Sequence, residues 1–215
     1  RENFEETNYQ PEYKPRTSEK YFEVPQSVAR PLMDHQKVGF QWACQSYAQG
    51  YPGILNADDQ GLGKTLQAIA FLAWLQNHLE AQPSADRKPI LVVAPTSLLR
   101  NWIQEVEQHM TPEGLGIRID AFGNGLARLR RPGAKGYDIV DANPEGRLDL
   151  DHLKADDSQG FVGWVLTTYT TLMNYQQSFA EIPFSAIIFD EIQNIKNPAS
   201  MRHRAAQAMR ADFRI

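Results

Sequence analysis

From Gly53 to Ile215, short apolar runs alternate with stretches in which apolar residues recur every three or four positions. Ile90-Leu-Val-Val-Ala94 is continuous and partly β-branched, the pattern of a strand covered on both faces. Val162 to Thr168 and Ala186 to Asp190 read the same way, and Ile117 to Phe122 alternates as a strand. Gly-Ile-Leu-Asn-Ala over 53–57 predicts a further short strand, and Ala211 to Ile215 looks like the start of another. Between these runs, Leu66, Ile69, Ala70 and Ala73 mark a helix reaching about Glu80. Leu99, Trp102, Ile103 and Val106 mark a second, Leu172, Tyr175 and Phe179 a third, and residues 199–209 a fourth. Upstream, Val38, Trp42 and Cys44 fall on one face of a helix of about a dozen residues, ended by Gly50-Tyr-Pro-Gly53. Strands alternating with helices predict an α/β fold, a mostly parallel sheet with helices on both faces.

Two segments break this rhythm. Residues 1–24 are polar, rich in Tyr, Glu, Lys and Pro, and read as a lead-in or linker, so the domain is expected over 25–215. Residues 131–160 hold four Gly and two Pro, with seven Asp/Glu against four Lys/Arg, and read as an acidic, mostly exposed inserted loop.

Length and composition narrow the class. The chain has 215 residues, 42% of them hydrophobic, enough for one domain with a substantial core. A net charge of −4 gives no global signature of nucleic-acid binding, although a local basic face stays open. The single cysteine, Cys44, excludes an internal disulfide and a cysteine zinc site, and its amphipathic setting suits a buried thiol. His78, His109, His152 and His203 show no metal-ligand spacing. With no long apolar run and no secretory signal, a soluble intracellular protein is expected, in a bacterial cytoplasm or nucleoid or in a nucleus. The chain starts at Arg1 rather than Met and stops where a strand begins, as expected of a piece of a longer protein.

The chemistry is concentrated in two places. Asp58-Asp-Gln-Gly-Leu-Gly-Lys-Thr65 lies between the predicted strand at 53–57 and an apolar helix. A Gly-rich turn ending in Gly-Lys-Thr lets backbone N–H groups wrap phosphate oxygens. Lys64 can then reach the β/γ-phosphates and the Thr65 hydroxyl can ligate Mg²⁺. Gly61 and Gly63 allow the close approach, and the helix dipole favours the same anion. Far downstream, Asp190-Glu191 follows an apolar strand, placed to hold Mg²⁺ through Asp190 and to orient an attacking water through Glu191. A Gly-rich turn with a solvated lysine would explain Gly-Lys-Thr by itself, and a helix N-terminal acidic pair would explain Asp190-Glu191 by itself. Both together point to a nucleoside-triphosphate and Mg²⁺ site. Thr96-Ser97 and Thr167-Thr168 also fall at predicted strand ends, where parallel sheets collect ligands.

From about Pro25 to Ile215 these segments resemble, in order, the Swi/Snf family of DNA-translocating ATPases within helicase superfamily two. Leu32-Met-Asp-His-Gln36, with Gly39 and Trp42, is similar to the family's glutamine motif, which implies adenine reading by Gln36. Asp58 to Thr65, with Leu62 between the glycines, resembles its form of motif I, which carries Asp at the position of the first P-loop Gly. Ala94-Pro-Thr-Ser-Leu-Leu99 with Asn101, Trp102 and Glu105 resembles motif Ia, and Val165 to Tyr169 with Thr171-Leu172 resembles motif Ib. Asp190-Glu-Ile-Gln-Asn-Ile-Lys-Asn-Pro198 resembles motif II with the family's Lys-Asn extension; Gln193 stands where the family more often has His.

The resemblance implies a RecA-like, P-loop three-layer sandwich, the N-terminal lobe of a two-lobe motor, ending just before motif III. It implies ATP hydrolysis with Mg²⁺, translocation on double-stranded DNA, remodelling of protein–DNA complexes, and a C-terminal RecA-like lobe of the same chain as partner. Thr96, Ser97, Thr168, Tyr169 and Lys196 are expected on a sequence-independent DNA phosphate track. The competing readings are a helix N-cap for Thr96 or Ser97 and an ordinary strand end for Thr168. For the whole lobe, the rivals are a non-catalytic nucleotide- or partner-binding module and a metabolic P-loop kinase. The latter would leave Thr96-Ser97 and the Lys-Asn extension unexplained.

Overall fold

The computed structural model describes residues 13–59, 61–81, 83, 87–133, 135–139, 146–154, 161 and 163–215. Residues 1–12 of the expected lead-in, Gln60, Gln82, residues 84–86, Val162 and much of the segment 131–160 lie outside the described residues.

Five strands form one all-parallel sheet: β1 (Ile90–Ala94), β2 (Ile117–Ala121), β3 (Gly163–Thr168), β4 (Pro183–Phe189) and β5 (Arg210–Arg214), in the spatial order β2-β3-β1-β4-β5. The seven helices among the described residues are α1 (Asp34–Ala48), α2 (Lys64–Glu80), α3 (Leu99–His109), α4 (Gly123–Leu129), α5 (Tyr169–Asn174), α6 (Gln176–Ala180) and α7 (Met201–Ala208). The side-chain alternation of each strand divides the core in two. Ile90, Val92 and Ala94 of β1 face α1, α2 and α3, whereas Leu91 and Val93 belong to the cluster built with α5, α6 and α7. The result is the expected three-layer α/β sandwich. No helix among the described residues is long and apolar enough to cross a membrane.

Four expectations change. Val38 and Trp42 are exposed, at 69% and 44%, while Gln36, Phe40, Ala43, Cys44 and Tyr47 form the buried face of α1. Residues two apart on a helix point about 200° away from each other, so Val38 and Phe40 cannot share a face. Cys44 is buried as expected, and burial pushes its thiol well up.

The strand expected at 53–57 does not form. Gly53 makes one bridge to Arg214, Ile54 N donates to Arg214 O at 2.8 Å, and the chain then leaves the sheet with Leu55 exposed. The Asn56 side chain takes the Asp58 amide at 3.0 Å, closing a local turn in place of a ladder.

The described part of the lead-in is packed. Phe22 is buried against the edge of Trp74, and Arg16 donates to the carbonyls of Tyr47 and Tyr51 and to that of Asp212. The described part of 131–160 is also docked. Leu148, Leu150 and Leu153 are buried, and Asp138 is fully buried, accepting from Ser178 N at 2.7 Å and Gln177 N at 3.4 Å.

Candidate ATP site

The phosphate loop enters α2 through two glycines in left-handed backbone, Gly61 at φ 89° and Gly63 at φ 76°. The loop therefore favours glycine for conformation at both positions, and a Cβ at the second would also displace the Gln36 amide. Beyond it, α2 is buried almost all round by Leu66, Ile69, Ala70, Phe71, Leu72 and Leu75, which fixes its N-terminus toward the loop.

A cavity of about 480 Å³ opens at this point. Lys64, Thr65 and Asp58 line it on one side and Asp190, Glu191 and Gln193 on the other, with Trp102 between elements and Phe71, Ile188 and Ile215 among its apolar walls. The two halves of the predicted site are thus brought to one space although they are far apart in sequence. The Lys64 ammonium donates to the carbonyls of Asp58 at 2.6 Å and Asp59 at 3.0 Å, so it lies folded over its own loop.

Asp190 is held at three atoms. Its N–H donates to Val93 O at 2.9 Å, its Oδ2 accepts from Trp102 Nε1 at 2.8 Å, and its carbonyl accepts from the Tyr169 hydroxyl at 2.7 Å. Burial raises the Asp190 carboxyl above the usual carboxylate range, opposed by the Trp102 hydrogen bond, raised further by neighbouring Glu191 and lowered by Lys64. Glu191 is exposed and is the one non-glycine residue with positive φ among those described, at 53°. Backbone of this kind is costly and recurs at functional sites. Its carbonyl accepts from Asn194 N at 3.0 Å and Asn194 Nδ2 at 2.9 Å, and its carboxylate from Gln193 Nε2.

Among the described residues no group of three His, Cys, Asp or Glu could cage a metal. One carboxylate and one hydroxyl, Asp190 and Thr65, suit Mg²⁺, which keeps waters and takes substrate phosphates in place of a full protein shell.

Gln36 does not line the cavity. Its Oε1 accepts from Met33 N at 3.0 Å and its Nε2 donates to Leu62 O at 3.2 Å, tying the start of α1 to the loop. The sequence reading missed Gln67, 3% exposed. Its Oε1 accepts from Asn56 at 3.1 Å and its Nε2 donates to the Asp58 carboxylate at 3.1 Å. A polar residue between Leu66 and Ile69 on an apolar helix was the available signal, since a buried amide needs partners.

Of the residues expected on a DNA track, Thr96 and Ser97 are exposed on a one-turn 3₁₀ segment (Thr96–Leu98) at the end of β1. Neither that turn nor α3 has a side-chain cap, so the N-cap alternative is not realised. Lys196 is exposed just after a second such turn, Ile192–Ile195, beyond β4. Thr168 and Tyr169 differ from the expectation. Thr168 is buried and caps α5, accepting from Thr171 N at 3.0 Å. Tyr169 is buried, with its hydroxyl on Asp190 O. Their side chains are committed inside the lobe and are not offered to a phosphate.

Residues 35–215 match the SNF2-related domain family. The Zorya protein ZorD of Escherichia coli O139:H28 is 34% identical over 198 residues, covering 90% of this chain and 17% of that protein. The chromatin-remodeling ATPase INO80 of Arabidopsis thaliana is 32% identical over 183 residues, covering 84% of this chain and 10% of that protein. In structure, the chain is similar to the Sulfolobus solfataricus SWI2/SNF2 ATPase core in complex with dsDNA, with a TM-score of 0.62 and 27% identity over 90% of this chain and 33% of that one. The chain thus spans less than a fifth of the length of these curated relatives.

Proposed function

The chain belongs to the SNF2-related family, and on that premise we propose that it is the N-terminal ATP-binding lobe of a DNA-dependent ATPase that translocates on double-stranded DNA and remodels protein–DNA complexes. The observation that carries this reading is the meeting of Lys64 and Thr65 with Asp190 and Glu191 around one cavity. Backbone amides of Gly61, Leu62 and Gly63 and the N-terminus of α2 receive the phosphates, and Lys64 leaves the loop carbonyls for them. Gln36 lies outside the cavity with its amide on the Leu62 carbonyl, and to serve as the adenine-side contact that the resemblance implies it leaves that carbonyl when nucleotide enters. Mg²⁺, when bound, screens the charge that develops on the phosphates, and Thr65 and Asp190 hold it. Glu191 orients the attacking water. Phosphoryl transfer needs positioning and charge stabilisation more than covalent help, which this residue set provides. Thr96, Ser97 and Lys196 offer hydroxyls and a lysine to DNA phosphates, contacts without base information that suit a motor moving over any sequence.

The test is ATP hydrolysis by the full-length protein with and without duplex DNA. DNA should stimulate turnover, and Lys64→Ala and Glu191→Gln should each abolish it. Hydrolysis indifferent to DNA, or a Lys64→Ala protein with wild-type turnover, contradicts the proposal.

A further inference from the structure

Two different segments reach Asp190, and each begins at a strand end on the edge proposed to face DNA. The first is α3, which starts directly after the exposed Thr96–Leu98 turn and carries Trp102 about one turn in. The indole is 1% exposed and its N–H, the only donor it has, is on Asp190 Oδ2 at 2.8 Å. The second is α5, whose first residue, Tyr169, sends its hydroxyl to the Asp190 carbonyl at 2.7 Å and stacks its ring on Phe189 at 6.4 Å between centroids.

We infer that Trp102 is a positioning residue for the Asp190 carboxylate, and that Trp102 and Tyr169 together couple contact at the Thr96–Ser97 turn to the phosphate site. This rests on the ATPase reading above. A carboxylate with one oxygen fixed by an indole presents the other in a set direction. Outer partners of this kind orient a metal-holding group and tune it. Because α3 is a short rigid element packed on α2 and the sheet, a shift of the turn at its start carries the indole with it. Tyr169 anchors the backbone of the same residue from the opposite side of the sheet, since it belongs to the other core cluster. The competing explanation is that the two hydrogen bonds merely satisfy buried polar atoms.

Three variants of the full-length protein separate the two. Trp102→Phe removes the indole donor, Tyr169→Phe removes one hydroxyl, and Trp164→Phe, in β3, is the control for loss of a buried indole without contact to Asp190. Basal and DNA-stimulated kcat, half-saturating Mg²⁺ and DNA affinity are measured for each. Trp102→Phe should raise the Mg²⁺ requirement and lower the DNA-stimulated rate by about 10–100-fold, with DNA affinity unchanged. Tyr169→Phe should lower the ratio of stimulated to basal rate, and Trp164→Phe should leave it as in wild type. A Trp102→Phe protein that matches the Trp164→Phe control in Mg²⁺ requirement overturns the positioning role. Full DNA stimulation in Tyr169→Phe, which loses a single oxygen and keeps the ring packing, overturns the coupling even where Trp102→Phe does not fold. A wild-type enzyme without DNA stimulation fails the functional proposal instead, while the Mg²⁺ comparison still decides the role of Trp102.

Discussion

Gln67, in the first turn of α2, donates to the carboxylate of Asp58 at 3.1 Å and so spans the phosphate loop from its end to its beginning. Asp58 stands where most phosphate loops have glycine, and its side chain is accommodated by this bond. Gly39 on α1 keeps the space over the Gln67 amide open, because a Cβ there would collide with it.

Gln67→Ala should therefore loosen the loop more than it disturbs the core. A hydrogen bond to a charged group contributes about 1.5–3 kcal/mol, so the Kd for ATP should rise by about 10–100-fold. Gln67→Glu sets a second carboxylate against Asp58 and should be at least as damaging. Calorimetric titration of the purified lobe with Mg·ATP measures this, and an unchanged Kd in both variants would remove Gln67 from the site.

Contact with DNA should be sequence-indifferent and salt-sensitive. With Thr168 and Tyr169 buried, the lobe offers few side-chain contacts, so its affinity alone should fall in or above the ~10⁻⁴–10⁻⁶ M range of non-specific binding. Lys196→Ala should weaken binding to all duplexes alike and flatten the salt dependence. Anisotropy titrations on two unrelated duplexes at several salt concentrations provide the check, with a base-specific loss as the contrary result.

Residues 1–215 alone should bind nucleotide but barely turn it over. Among the described residues no arginine lines the cavity, and Arg202 is engaged with Thr170 at 3.1 Å. An arginine finger is worth about 10³–10⁵ in kcat in related phosphoryl transfer, or roughly 4–7 kcal/mol of barrier. Steady-state phosphate release from the fragment, with Glu191→Gln as the contamination control, should sit near background. Turnover of several per second that disappears in that variant would mean the lobe is catalytically complete.

Asp138 should govern the stability of the segment around it. Asp138→Ala strips acceptors from the Gln177 and Ser178 amides in the first turn of α6, at a cost of about 1–3 kcal/mol. The pH dependence has a definite sign. Burial raises the Asp138 carboxyl in the folded state, so the stability it contributes is present at low pH and lost as pH rises through the folded value. The melting temperature of wild type should consequently rise relative to Asp138→Asn as pH falls from neutrality toward the ordinary Asp value of about 3.9. A constant difference between the two across that range would remove Asp138 as the titrating group.

Local pattern was sufficient for much of the molecule. Strands β1, β3 and β4 are continuous apolar runs because both of their faces are covered, and such runs show in sequence without knowledge of what covers them. The Gly-rich turn into α2 was equally legible, because the left-handed backbone of Gly61 and Gly63 and the helix start at Lys64 are set by residues a few positions apart. Asp190-Glu191 was legible as a carboxylate pair at a strand end. What only the tertiary structure decided depends on partners distant along the chain. Which face α1 buries was set by α2 packing against it, since Val38-Trp42 and Phe40-Cys44 have the same spacing and no local feature ranks one over the other. The fate of 53–57 was set by the Asn56 side chain, which closes a turn and meets Gln67 where an apolar run predicted a ladder. The docking of Leu148, Leu150 and Leu153 was hidden by the acidic, Gly-rich residues around them. Trp102 and Tyr169 meet Asp190 across 88 and 21 residues of chain. Helical or strand periodicity reports only that a side chain is turned inward; the atom it meets there is fixed by how separate elements pack, and that packing gives Asp190 its orientation.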